Sequence, residues 1–287
     1  MHYGVKLPDV DMLWEVAVRQ TDGSLSERTA NDDAERAFWK ENMRNRQGYA
    51  PDAYSRPIAQ AVCEMLQAHQ VHDVLELGPG WGNYTLDIAR IAESVTCVDI
   101  SPDVISYILT VGRENGLHNI SGVISKWEDF VPKRRYQAVF GYNCFYRMIP
   151  LSECLRKINE TAQELCIMGM TSGPEQPFYR EFEQVLGLKI RYNRLDYIYF
   201  INALYQMGID VDVRILNLEK EYVYEDEETL LRAETGRIQS PEYDKDKVLS
   251  ILRRYYRLQQ DGNYHFVHKF KAAIISWQPV NLNRLWG

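Results

Sequence analysis

The 287-residue chain is short of the features that would sort it at once. It has five cysteines (Cys63, Cys97, Cys144, Cys154, Cys166), an odd number, scattered and without a C-x-x-C pair. That excludes both a disulfide framework and a zinc knuckle. Cys97 and Cys166 fall inside apolar runs, where a thiol acts as a small hydrophobe, so a reducing cytoplasm is the expected setting. No apolar run nears the roughly 20 residues that span a bilayer, so no membrane partner is expected. The N-terminal stretch MHYGVKLPDVDMLWEVAVRQ has no basic segment leading into an apolar one, so no signal peptide is expected either. Positive charge is also scarce: a formal net charge of −7 argues against nucleic acid as a partner, since that affinity comes from Lys and Arg on phosphates. There is no internal repeat and no low-complexity linker.

What is present is apolar material, 45 % of the chain, in a regular rhythm. VLELG (74–78), VTCVDI (95–100), SGVIS (121–125), AVFGY (138–142) and LCIMGM (165–170) are short apolar runs with little polar alternation. Such runs suit central strands covered on both faces. Helical patterns lie between them, with Pro102 and Pro150 near two helix starts and Gly116 near one helix end. Strand and helix in alternation mean a parallel sheet with right-handed crossovers. Before it, DMLWEVAVRQ, AERAFWKENM and PIAQAVCEMLQAHQ read as helices around a polar stretch. After 173, EQPFYREFEQVLG and DYIYFINALYQMG read as helices, and VDVRILNLEKEYVY as a strand. DEETLLRAETG and KDKVLSILRRYYRLQQDG then read as helices, and HFVHKFKAAIISWQP as a closing strand. The expected fold is α/β: a Rossmann-like, seven-stranded, mostly parallel sheet with an antiparallel last strand and helices on both faces. Residues 1–65 form a helical cap, and 66–287 the sheet domain with a helical insertion at about 224–262.

The first strand runs into Glu76-Leu-Gly78-Pro-Gly80-Trp-Gly82. Glycines there put bare main chain and a helix N-terminus at the carboxyl edge of the sheet, where open α/β sheets bind ligands. A dinucleotide site wants its third glycine at position 83, which is Asn, so that fingerprint fails by one residue. The run resembles instead the first motif of class I S-adenosylmethionine-dependent methyltransferases, and VTCVDIS, SKWEDF and YQAVFGYNCFYRM resemble that family's next motifs in order and spacing. The resemblance covers about 60 to 173 and the closing strands. It implies S-adenosylmethionine as cofactor, S-adenosylhomocysteine as product, and Asp99, followed by Ile100, as acceptor for both ribose hydroxyls. It further implies Trp127 and Glu128 beside the adenine, and Asn143, in the loop after the fourth strand, near the amino acid end. The family commonly has Asp where this chain has Gln137, which leaves the role of that position open.

Asn143-Cys144-Phe145-Tyr146 sits where nitrogen-methylating relatives carry two prolines after Asn or Asp; without prolines the rigid turn is not specified. Methyl transfer is an in-line displacement that asks the protein chiefly for positioning, and no obligatory catalytic residue is visible. Nineteen tyrosines exceed what a core calls for, because a buried phenol needs a partner. Tyr49, Tyr54, Tyr146 and Arg147 are the candidates for substrate contact, with Tyr197 behind them. Arg147 would pair with a substrate carboxylate or else form a surface ion pair. His265 and His268 would face opposite sides of a strand, so no metal site is expected. The reading is a methyltransferase for a small molecule. Methylation of tRNA or protein, or cofactor binding without turnover, are the alternatives, and the helical additions leave room for a homodimer.

Overall fold

The computed structural model describes residues 7–20, 22–44, 46 and 48–282. Ahead of the sheet run α1 (Val10–Val18), the four-residue α2 (Glu27–Ala30), α3 (Asp32–Arg44), a 3-10 turn at Ala53–Ser55 and α4 (Arg56–Ala68). The alternating part comprises β1 (Asp73–Leu77), α5 (Thr85–Ile91), β2 (Ser94–Asp99), α6 (Pro102–Glu114), β3 (Ile120–Ile124) and β4 (Tyr136–Tyr142). A second 3-10 turn at Phe145–Arg147 leads to α7 (Leu151–Thr161) and β5 (Ala162–Ser172). The rest is α8 (Pro177–Leu186), α9 (Ile198–Gln206), β6 (Asp212–Tyr224), α10 (Glu227–Glu234), α11 (Lys245–Tyr255), β7 (Arg257–Leu258) and β8 (Tyr264–Trp277).

The sheet has the order β3-β2-β1-β4-β5-β8-β6, with β7 beside β8. β1 pairs in parallel with β2 and β4, β2 with β3, and β4 with β5. The C-terminal strands are antiparallel. The seven expected strands and their mostly parallel pairing are therefore present, and β7 is an eighth. It corrects the helix expected over 245–262, which stops at Tyr255. The helix ends where Tyr256 turns extended (ψ 114°) with its N–H on the Leu252 carbonyl, and the hairpin follows: the Asp261 carboxylate accepts from the Asn263 N–H at 3.0 Å and Gly262 takes φ +84°. The short α2 was not expected either; Ser26 caps it by accepting from the Thr29 N–H at 3.1 Å.

Two compact units divide the chain. One comprises residues up to 171 with 195–216 and those from 272 on, and the other 172–194 with 217–271. In the first, the helices before β1 share a unit with the sheet. α1 is tied down by two polar contacts near the start of α7: the buried Trp14 indole donates to the Met148 carbonyl at 2.8 Å, and the Asp11 carboxylate accepts the Ser152 N–H at 2.8 Å. Asp11 thus supplies the N-terminal cap that Pro150 does not give α7. Gln137 has a role in this frame. Its side-chain oxygen accepts from the His72 and Asp73 N–H groups at 2.6 and 3.0 Å, bridging the opening residues of β4 and β1.

The second unit packs Phe178, Phe182, Leu230, Val248 and Leu252 around a polar centre. Glu234, buried, accepts from the hydroxyls of Tyr179, Tyr224 and Tyr256 at 3.0, 2.9 and 2.7 Å. Three of the many tyrosines are thereby explained by one carboxylate. Residues 253–257, a basic-aromatic run, end α11 and enter β7, with Tyr256 buried: Arg253 grips Glu227 at 2.6 and 2.7 Å, and Arg254 pairs with Glu181. His265 lies between Glu221 (2.8 Å) and Asp261 (3.0 Å), whereas His268 stacks between Phe266 and Phe270.

Back in the first unit, Asn159 of α7 holds the segment after β8. Its amide donates to the Val280 carbonyl at 2.8 Å and accepts from the Trp277 indole at 3.2 Å and the Val280 N–H at 3.0 Å. Asn159→Ala strands three groups, so we expect a loss of about 3 kcal/mol of unfolding free energy, measured as a lower urea midpoint at unchanged slope.

Candidate functional site

At the carboxyl edge of β1, β2 and β4 a cavity of about 300 Å³ opens. Its floor is the turn after β1. Gly78 and Gly80 sit at φ +58° and +51°, a region costly for residues with a side chain. A Cβ on Gly78 would lie 2.6 Å from the Cys144 Cβ, so this turn and the turn after β4 touch main chain to side chain with no room between them. A Cβ on Gly80 would meet Trp39 at 3.1 Å. Both glycines line the cavity with bare backbone. Asn143, at φ +55°, makes the matching turn after β4. Its side-chain oxygen accepts from the Thr171 N–H at 2.9 Å and its own N–H donates to the Gly169 carbonyl at 3.0 Å.

Two acids end the central strands. Asp99 is buried at the tip of β2, accepts from the Ser101 N–H at 2.8 Å, and lines the cavity beside Ile100. Burial, with the charge of Glu35 adding to it, lifts its pKa to about 7 against the N–H groups of Ser101 and Gly80. Glu76 is fully buried on β1 and also lifted to about 7 by burial. Thr85 and the Cys97 thiol, the latter donating at 3.7 Å, oppose that lift without cancelling it.

The roof comes from α3 and the 3-10 turn after β4. Glu35, 1 % exposed, accepts from Arg28 Nε and Nη2 at 2.8 and 3.1 Å, from the Trp39 indole at 2.7 Å, and from the Tyr146 hydroxyl. Burial pushes its pKa up, but these donors win and hold it below the usual carboxylate range. Trp39 packs edge-on against Trp81 with centroids 5.2 Å apart. Arg147 is not a surface residue: one nitrogen pairs with Asp32 at the start of α3, while buried Nη1 has no partner among the described residues. The buried Tyr142 hydroxyl also lacks one.

Of the residues expected at the site, Glu76, Gly78, Gly80, Asp99, Ile100, Trp127, Glu128, Asn143, Tyr54, Tyr146 and Arg147 line this one cavity. Trp127 is anchored by its indole to the Cys154 carbonyl at 3.2 Å, and the Glu128 carbonyl accepts from Lys157 at 3.1 Å. Gly82 and Tyr49 are not in the lining. They sit behind the floor, where the Tyr49 hydroxyl donates to the Gly82 carbonyl at 3.1 Å and a Cβ on Gly82 would meet Ile108 at 2.7 Å. Sequence reasoning missed Glu35, Trp39, Asp52, Tyr84 and Tyr142. A signal for the first two was the spacing of acid and indole four apart on one helix. Among the described residues no group of three or more His, Cys, Asp or Glu is placed to hold a metal ion, and no helix is long and apolar enough to cross a membrane.

Comparison with known proteins agrees with this geometry. A family model described as a methyltransferase domain matches residues 74–165, from β1 into β5. An uncharacterized protein of Haemophilus influenzae is 22 % identical over 237 residues, 80 % of this chain and 83 % of its own length. Among solved structures, the YcgJ protein of Bacillus subtilis superposes with a TM-score of 0.52 at 16 % identity, covering 77 % of this chain and 99 % of its own. A Bacillus halodurans protein described as a methyltransferase candidate gives 0.51 at 13 % identity, covering 77 % and 100 %. Those two likenesses establish the fold, and the family model adds the domain. Residues 74–165 match a methyltransferase domain, and S-adenosylmethionine is the cofactor that such domains use.

Proposed function

We propose that the protein transfers a methyl group from S-adenosylmethionine to a small-molecule acceptor held in the cavity beneath α3. The observation that carries this reading is the conjunction of a desolvated carboxylate, Asp99, with a side-chain-free turn at Gly78 and Gly80 in one enclosed space. When bound, the cofactor supplies a methyl on a sulfonium whose sulfur takes the electron pair as the acceptor's lone pair bonds to carbon. The chain's part is positioning and exclusion of water. Asp99 accepts the two ribose hydroxyls, with Ile100, Trp127 and Glu128 about the adenine. Gly78, Gly80 and Asn143 flank the amino acid end with Glu76 beside them, while Gly82 shapes the turn from behind.

Tyr54, Tyr146 and Arg147 contact the acceptor in this reading. A cavity with aromatic walls and few polar hands suits a small organic molecule better than a tRNA or a protein. The ion-paired state of Arg253 and Arg254 further weakens the nucleic-acid alternative. Residues 1–65 act as the cap over the site, and 66–287, with the insertion at about 224–262, as the methyltransferase domain. A reducing cytoplasm fits the five free cysteines.

Three outcomes test the reading. First, S-adenosylhomocysteine binds in calorimetry and NAD does not. Its affinity is flat above about pH 8 and falls by up to about tenfold per unit as Asp99 protonates below about pH 7. Asp99→Ala weakens it by about tenfold or more; unchanged affinity defeats the assignment. Second, both buried acids have pKa values raised above their unfolded values, so the ligand-free protein binds more protons than its unfolded chain from about pH 4 to 7. Their contribution to stability is present below that window and lost as pH rises through it. Glu76→Gln is therefore expected to gain at least about 1 kcal/mol at pH 8 and to flatten the pH dependence of Tm. Third, Arg147→Met raises KM for an acidic substrate with little change in kcat, read by labelled methyl transfer across a panel of small acids.

A further inference from the structure

Glu35 stands outside residues 74–165, yet its carboxylate binds three other side chains around the roof. A carboxylate that is 1 % exposed would ordinarily be protonated or expelled. Here it stays charged because four donors from three residues converge on it: two nitrogens of Arg28, the indole of Trp39 and the phenol of Tyr146. Arg28 lies on α2, Trp39 on α3 and Tyr146 on the turn after β4, so one side chain joins three separate segments of the chain. Glu35, Trp39 and Tyr146 all line the cavity.

The bonds also settle what the roof offers a ligand. The Trp39 N–H is spent on Glu35. The Tyr146 hydroxyl donates to Glu35 and accepts from Arg28 Nη2 at 3.1 Å. Neither polar end is left for a ligand, and both residues have only ring surface to give. Arg28 is held in place in turn, its guanidinium 3.3 Å from the centroid of the Phe38 ring. Trp39 sits within 3.1 Å of where a Gly80 Cβ would be, so its ring closes directly over the bare turn.

We propose that Glu35 is a positioning residue for methyl transfer: it turns the polar ends of Trp39 and Tyr146 away from the cavity and fixes their rings as a flat, apolar roof that selects planar ligand groups. This rests on the reading of the cavity as the S-adenosylmethionine site. Glu35 acts through Trp39 and Tyr146 and forms no bond with the reacting atoms. It has a second effect, because its charge faces Asp99 and raises that group's proton affinity. Among the described residues, the other titratable groups set against Asp99 are Glu76 on β1, Cys97 on β2, Cys144 after β4 and Tyr146.

The experiment is calorimetric titration of S-adenosylhomocysteine into wild type, Glu35→Gln, Tyr146→Phe and the double variant from pH 5.5 to 8.5, with Tm recorded for each. Glu35→Gln keeps shape but loses the charge that binds Arg28 in two places. Affinity at pH 8 is expected to fall about tenfold, and the double variant to lose less than the sum of the two single losses. The pH at which binding weakens should shift downward in Glu35→Gln, because removing a neighbouring negative charge lets Asp99 ionise more readily. A merely structural role would leave that midpoint where it is. Affinity within twofold of wild type, with an unmoved midpoint, overturns the proposal. If Glu35→Gln does not fold, Tyr146→Phe carries the test alone, with a weakened affinity expected at wild-type Tm and an unchanged one counting against it. Failure of wild type itself to bind defeats the cofactor reading and this inference together, an outcome distinct from equal binding by wild type and variant.

Discussion

The site depends on one steric constraint, the contact between the turn after β1 and the turn after β4. The 2.6 Å that a Gly78 Cβ would leave to Cys144 is well inside any van der Waals separation, so a side chain at 78 would force the two strand ends apart. Because β1 and β4 are hydrogen-bonded neighbours at the centre of the sheet, that displacement would spread through both. Positive φ at Gly78, Gly80 and Asn143 is the backbone's answer to the same demand from the two sides of the contact. Everything that lines the cavity is referred to this floor.

Three carboxylates buried around it meet the cost of desolvation in different ways. Glu35 is surrounded by donors and stays ionised; Glu76 and Asp99 have few and drift toward neutrality at physiological pH. Hydrogen bonds to charged groups are worth roughly 1.5–3 kcal/mol each, so four of them outweigh burial where one or two do not. The difference maps onto purpose. A carboxylate with all its lone pairs engaged holds architecture together, whereas one with spare capacity beside a cavity is available to a ligand.

How much of this could be read in the sequence was set by the range of the interactions. The parallel sheet was legible because burial on both faces leaves an apolar run in β1, β2, β4 and β5; β3, at the sheet edge and largely exposed, fell in place by the alternation alone. Gly78, Gly80 and Asp99 were legible because strand ends in such sheets share one edge. β7 was not, since two residues carry no periodicity and the stretch through Asp261-Gly262 was read as part of a helix. The roof was not legible either. Glu35 is one acid among several in a polar stretch, and its bond to Tyr146 spans 111 positions, a distance over which local pattern says nothing. Gly82 was placed at the site by its motif and Tyr49 by its aromatic segment, whereas the two meet each other outside the cavity lining.

The floor comes from one stretch of the chain and the roof from two. The cradle and the Tyr146 part of the cover lie within residues 76–148, and the rest of the cover within residues 35–54, with Glu35 and Tyr146 joining the two. Replacement in the second stretch alters the cover and, at Glu35, also the charge that Asp99 meets across the cavity. Selection on the cover is therefore not independent of the cradle: an exchange at Glu35 reaches both at once, and a change of preference there has to be accommodated below.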